Sequence, residues 1–142
     1  MEKVFVGVGC TPGLHPDVMM TAVLRALRKV GLAPDAVGGL ATIAQRRDEP
    51  AIVLTARHHG WDIQAFSAEA LSRVPVPNPS ERVRQVMGTP AVAEAAALLA
   101  AGTRDPKHLL LEKLVHRDGE RRAATVSIAR RQSHAKAQHQ PL

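Results

Sequence analysis

The chain has 142 residues, 45% of them apolar and 23% charged. This ordinary globular balance excludes a fibrous or wholly disordered protein, and the length suits one domain that buries a core without staples. A single cysteine, Cys10, excludes an internal disulfide scaffold and a zinc finger, while a net charge of +6 favours anionic partners. The last twelve residues, from Arg131, hold two basic residues and no acid, which leaves the body at +4. With no tyrosine, two phenylalanines and one tryptophan, few rings are available to stack on bases, so nucleic acid is not the expected partner. An anionic small molecule is. No apolar run approaches the ~20 residues of a membrane helix. Residues Met1 to Phe5 lead straight into a strand-like pattern without the segments of a signal peptide. The expected location is the cytoplasm, with no membrane partner.

Val4, Phe5, Val6 and Val8 predict a buried strand, broken by the glycine-rich turn Gly7 to Gly13. Met19, Ala22, Val23, Ala26, Leu27 and Val30 recur at three- and four-residue spacing, so a helix is predicted from Pro16 to Val30, stopped by Gly31. Val37 to Ile43 is a second strand. Asp48-Glu49-Pro50 opens a helix that runs to His59 and stops at Gly60. Asp62 to Phe66 is a short strand, and Ser67 caps a brief helix through Ser72. The alternating prolines of Val74 to Pro79 hold an extended loop. Ser80 caps a helix to Met87; Thr89-Pro90 caps another to Ala101, nearly all alanine and leucine and therefore buried. His108 to Val115 and Ala123 to Ala129 form a hairpin through a turn at Asp118-Gly119. This order predicts a single three-layer α/β/α domain over residues 1–130 with a mixed sheet ending in a C-terminal hairpin, followed by a disordered basic tail, 131–142.

The turn from Gly7 to Gly13 lies between a strand and a helix, where backbone N–H groups can cradle an anion. It is neither a Walker A loop nor the dinucleotide fingerprint, since no Lys-Ser/Thr pair follows and Pro12 stands at the third glycine position. Its plainer reading is a tight turn that needs glycine. Cys10 sits here too, either as a thiol made reactive by the helix dipole or as a small buried hydrophobe. Arg46, Arg47, Asp48 and Glu49 follow a strand end, the usual ligand position of open α/β sheets; the alternative is a solvated loop with capping acids. Glu94 is the one charged residue between Met87 and Thr103. It marks either a solvent-facing stripe or a functional carboxylate. Lys113 faces a ligand or merely solvent. The adjacent His58 and His59 diverge on a helix and do not make a metal pair.

Several segments in the right order resemble the CobE family and the related C-terminal domain of CbiG: Gly7-Val8-Gly9-Cys10, Gly39 to Ile43 with Asp48-Glu49, Val74 to Glu81, Val86 to Leu98, and Ala124 to Arg130. The resemblance runs from Val4 to Arg130. It departs from the family pattern at Thr11, usually basic, at Arg46, usually lysine, and at Ala91, usually serine. The resemblance implies a role in cobalamin (vitamin B12) biosynthesis, acting on corrin-ring intermediates. CbiG-type proteins open a lactone on cobalt-precorrin-5A, with the matching domain fused behind others; a chain of this length looks like CobE of the aerobic route. The expected function is binding of a carboxylate-rich precorrin as carrier or accessory protein, without a cofactor or metal of its own, with other pathway enzymes as further partners. The alternative is a lactone hydrolase with Glu94 or Glu49 as general base. The candidate ligand-binding set is Gly7, Gly9, Cys10, Thr11, Thr42, Ile43, Arg46, Asp48, Glu49, Thr89, Pro90, Glu94 and Lys113.

Overall fold

The computed structural model describes residues 3–75 and 92–131. In chain order the elements are β1 (Val4–Cys10), α1 (Pro16–Lys29), β2 (Val37–Ile43), α2 (Pro50–His59), β3 (Ile63–Phe66), α3 (Ala68–Ser72), α4 (Val92–Ala100), β4 (Leu109–Asp118) and β5 (Arg122–Arg130). The five strands form one mixed sheet in the order β3-β2-β1-β5-β4. The first three are mutually parallel, and β5 runs antiparallel to both β1 and β4. Helices α1 and α2 cover one face over a core of Val4, Val6, Val8, Met19, Leu27, Leu40 and Ile52. Helices α3 and α4 cover the other, where Phe5, Ala41, Ile43, Leu71, Leu98 and Ala129 are buried together. The α/β class with three layers and a terminal hairpin is what the sequence predicts.

Local chemistry explains the elements. The His15 ring caps α1, its Nδ1 accepting the Asp17 N–H at 3.1 Å, and Pro16 occupies the first turn, where its missing donor costs nothing. Arg28 and Lys29 sit in the last turn, favourable to the helix dipole. Ser67 caps α3 by accepting the Ala70 N–H at 3.1 Å. Glu49 stands at the N-cap of α2 but makes no side-chain cap bond there, because its carboxylate is used elsewhere.

Two boundaries differ from the sequence reading. The segment from Gly7 to Cys10 is strand, not turn: β5 pairs with β1 along its whole length, to Cys10 opposite Ala124. Long-range pairing overrides the local glycine signal. The hairpin strands are also longer than expected, leaving only residues 119–121 as the connection. The predicted helix from Ser80 to Met87, the start of the helix capped by Thr89-Pro90, and residues 132–142 lie outside the described residues.

Candidate functional site

Strands β1, β2 and β3 end at the same edge of the sheet. The β4–β5 turn lies there too, since Cys10 faces Ala124 and Ala124 faces His116. Open α/β sheets bind ligands at this carboxyl edge. Two hydrogen bonds tie the loops after β1 and β2 together across it. Arg46 Nε donates to the Cys10 carbonyl at 3.2 Å, and the Gly13 N–H donates to Glu49 Oε2 at 3.0 Å. Arg46 is half-buried, and this bond fixes its guanidinium at the end of β1 with its remaining N–H groups unused among the described residues. Asp48 is exposed beside it.

Thr11 continues the β1–β5 ladder by one residue. Its N–H donates to the Ala123 carbonyl, and its hydroxyl accepts the Ala123 N–H, both at 3.1 Å. The same pairing brings in Arg122, whose guanidinium lies 3.9 Å from where a Cβ on Gly13 would stand. Sequence reasoning missed Arg122, because more than a hundred residues separate it from the loop it meets; only strand order reveals the contact.

Three of the sequence-predicted residues are committed to packing. Thr42 is fully buried, and its hydroxyl donates to the Val8 carbonyl at 2.8 Å. Ile43 belongs to the core under α4. Gly7 lies beneath α4: a Cβ there would stand 2.0 Å from the Ala93 carbonyl oxygen, so only glycine permits that approach. Gly9, two residues on, has no described residue within 4 Å of a Cβ position. Thr89 and Pro90 lie outside the described residues.

Cys10 is half-buried, and its thiol pKa is pushed up to about 11, by burial first and the Glu49 carboxylate second, against the pull of Arg46. That direction is opposite to the lowered pKa that the reactive reading of this thiol calls for.

Glu94 is 1% exposed, and neither carboxylate oxygen has a hydrogen-bond partner among the described residues. The solvent-facing reading of this residue is therefore corrected. Burial raises its pKa to about 7; Lys113 on β4 pulls it down and Glu112 pushes it up. Lys113 itself is exposed and forms no ion pair within 4 Å among the described residues. Glu94 thus lies over the β5–β4 side of the sheet, whereas Arg46 and Glu49 lie on the β2 side of β1. The stretches 7–13 and 41–49 are in direct contact, and the backbone of α4 meets the first of them at Gly7.

An open depression of about 460 Å³ lies at the other end of α4, lined by Leu99, Gly102, Thr103, Arg104 and Asp105. Two of its polar side chains are used in a local turn: the Thr103 hydroxyl accepts the Asp105 N–H, and Asp105 Oδ1 accepts the Lys107 N–H, both at 3.0 Å. None of the sequence-predicted residues lines it, so the carboxyl edge is the candidate site.

Residues 4–129 match the family described as Cobalamin synthesis G C-terminus. A protein CobE from Sinorhizobium sp is 35% identical over 115 residues, covering 78% of this chain and 71% of that protein. A cobalt-precorrin-5A hydrolase from Priestia megaterium is 28% identical over 97 residues, covering 68% of this chain and 26% of the hydrolase. The chain thus spans about a quarter of the hydrolase's length. Among solved structures, that of CobE, a protein from the cobalamin (vitamin B12) biosynthetic pathway, superposes with a TM-score of 0.75 at 26% identity, over 91% of this chain and 90% of that one. The cobalamin biosynthesis protein chiG from Agrobacterium tumefaciens gives a TM-score of 0.62 at 28% identity, over 89% and 96% of the two chains.

Proposed function

The chain belongs to the cobalamin synthesis G C-terminus family, which includes cobalamin biosynthesis proteins, and from that premise we propose that it binds a carboxylate-rich corrin-ring intermediate as a carrier or accessory protein of the pathway. The observation that carries this reading is Arg46, held against the Cys10 carbonyl at 3.2 Å on the carboxyl edge. A guanidinium fixed in this way loses little further freedom on gripping a carboxylate with its remaining N–H groups. The surplus of basic residues over acidic ones, 19 to 13, favours the same class of ligand. An intermediate rimmed with acetate and propionate groups and apolar across its ring matches both features.

The hydrolytic alternative has less support. A general base needs access to water and to the reacting carbonyl. Glu94 is buried, and Glu49 already accepts the Gly13 N–H.

The test is a titration of the purified protein with hydrogenobyrinic acid, followed by the absorbance of the corrin ring. Saturable binding at micromolar concentration or below is expected. Arg46→Ala should weaken it about tenfold, the worth of one charge-assisted contact. Arg46→Lys should recover only part of the loss, because an ammonium lacks the planar fork. An unresponsive spectrum and a flat calorimetric trace with hydrogenobyrinic acid and with earlier precorrins would rule the reading out.

A further inference from the structure

Among the described residues, helix α4 covers its face of the sheet up to one row. At the row where Gly7 pairs with Ser127, the helix backbone sits directly on the strand: the Ala93 carbonyl and the Ala97 nitrogen fill the space a Gly7 side chain would need. Ser127 is fully buried there. The next row on the same face, toward the carboxyl edge, is Gly9, Thr125 and Val115, which pair in register across β1, β5 and β4. In this row Thr125 is half-buried and Val115 is 41% exposed.

Gly9 has none of the ordinary reasons for a glycine in a strand. Its φ is not positive, the β1–β5 register is regular through it, and no described residue stands within 4 Å of a Cβ position. A strand glycine with no bulge, no special dihedral and no packing neighbour among the described residues suits a site of close approach by a ligand. The row is flat at its β1 end, apolar at its β4 end, and two interstrand spacings wide, roughly 10 Å. Cations lie on both sides of it. Arg46 is hydrogen-bonded to the carbonyl of Cys10, the residue after Gly9. Lys113 is exposed on β4, two residues before Val115, and acts electrostatically on the same side of the sheet as Glu94. Glu94, in the first turn of α4, is a buried polar group with no hydrogen-bond partner among the described residues at the margin of this surface.

We propose that the row Gly9–Thr125–Val115 is the shelf on which the flat face of the macrocycle lies, with its rim carboxylates reaching Arg46 on one side and Lys113 on the other. This assignment rests on the corrin-binding reading above and specifies which face of the carboxyl edge is used.

The experiment compares Gly9→Val and Val115→Glu with the wild type, using hydrogenobyrinic acid as probe and thermal unfolding as the control. Valine suits a strand and meets no described neighbour at position 9, so the melting temperature of Gly9→Val should stay within about 2 °C of wild type. Its branched side chain should weaken corrin binding by at least about tenfold. Val115→Glu, at an exposed position, should fold normally and weaken binding through repulsion of the carboxylate rim. If the wild type binds and both variants bind equally well, the shelf is wrong while the corrin-binding reading survives. A fall in melting temperature of more than about 5 °C in Gly9→Val overturns the shelf as well, since Gly9 would then be packed against the chain itself. A wild type that does not bind removes both.

Discussion

The two faces of the sheet are built from different materials. Under α1 and α2 lie large aliphatic side chains: Val4, Val6 and Val8 of β1 and Leu40 of β2 meet Met19, Val23, Leu27 and Ile52. Under α4 the strands β1, β2 and β5 offer Gly7, Ala41 and Ala129 beside Phe5 and Ile43, to a helix whose own buried residues are mostly alanine. The first face gains stability from buried methylene groups, each worth about 0.8 kcal/mol. The second adds close backbone approach at Gly7. A helix seated that closely leaves little room for side chains between it and the strand, and this face also holds the buried carboxyl group of Glu94. The first layer carries most of the large aliphatic core; the second carries the proposed shelf.

Substitutions on the two faces should therefore fail differently. Gly7→Val carries the largest expected effect. A Cβ there falls 2.0 Å from the Ala93 carbonyl oxygen and 2.8 Å from the Ala97 nitrogen. Both neighbours are backbone, so α4 must lift as a unit, at a cost above about 3 kcal/mol. Circular dichroism should show a loss of cooperative unfolding or a melting temperature lowered by roughly 10 °C or more, together with loss of corrin binding. A well-folded Gly7→Val with wild-type stability would show that the helix does not sit on β1. Leu27→Ala, on the other face and 1% exposed, should cost about 3 kcal/mol from the lost contacts and the cavity. It should leave corrin affinity unchanged in the folded fraction. If Leu27→Ala reduced affinity as strongly as it reduced stability, the division of labour between the faces would be wrong.

The same contrast governs what could be read from the sequence. The first face was legible almost residue by residue: valines alternating along β1 and apolar residues at three- and four-residue spacing in α1 are the signals that burial of large side chains leaves. The second face was legible only as composition. An alanine-rich stretch announces a buried helix, but not which strand residue it touches or which of two glycines it sits upon. Gly7 and Gly9 look alike in sequence, yet a Cβ on one falls 2.0 Å from the α4 backbone and a Cβ on the other meets none of the described residues; the crowding at Gly7 is made by the placement of α4, a tertiary fact. The contact between the loops at 10–13 and 46–49 follows from parallel strands ending at one edge. That Glu49 itself accepts the Gly13 N–H depends on side-chain reach, which spacing does not encode. Arg122 was missed because antiparallel pairing of the last strand with the first has no local signature.

Glu94 gives the smallest effect and the sharpest test of the second face. Its carboxyl has a pKa raised to about 7 in the folded chain, chiefly by burial, against an ordinary value near 4.3 in the unfolded chain. Between those two values the folded state keeps a proton that the unfolded state has released. Stability therefore falls as pH rises through that window, and it is level below and above it. Glu94→Gln keeps the shape and removes the titration. Wild type and variant should be about equally stable near pH 4, and the variant should become the more stable by on the order of 1–2 kcal/mol at pH 8. His59, stacked on Trp61 and depressed in pKa by burial and by His58, pulls the other way, losing stability as pH falls; taking the difference between the two proteins cancels it. Chemical denaturation across this pH range measures the difference directly. A pH-independent gap would mean that Glu94 does not titrate there, and that α4 does not seal its carboxyl from water. A gap that opens as pH rises would mark this helix as the layer that tolerates a charge only at a cost, which the aliphatic layer across the sheet is never asked to do.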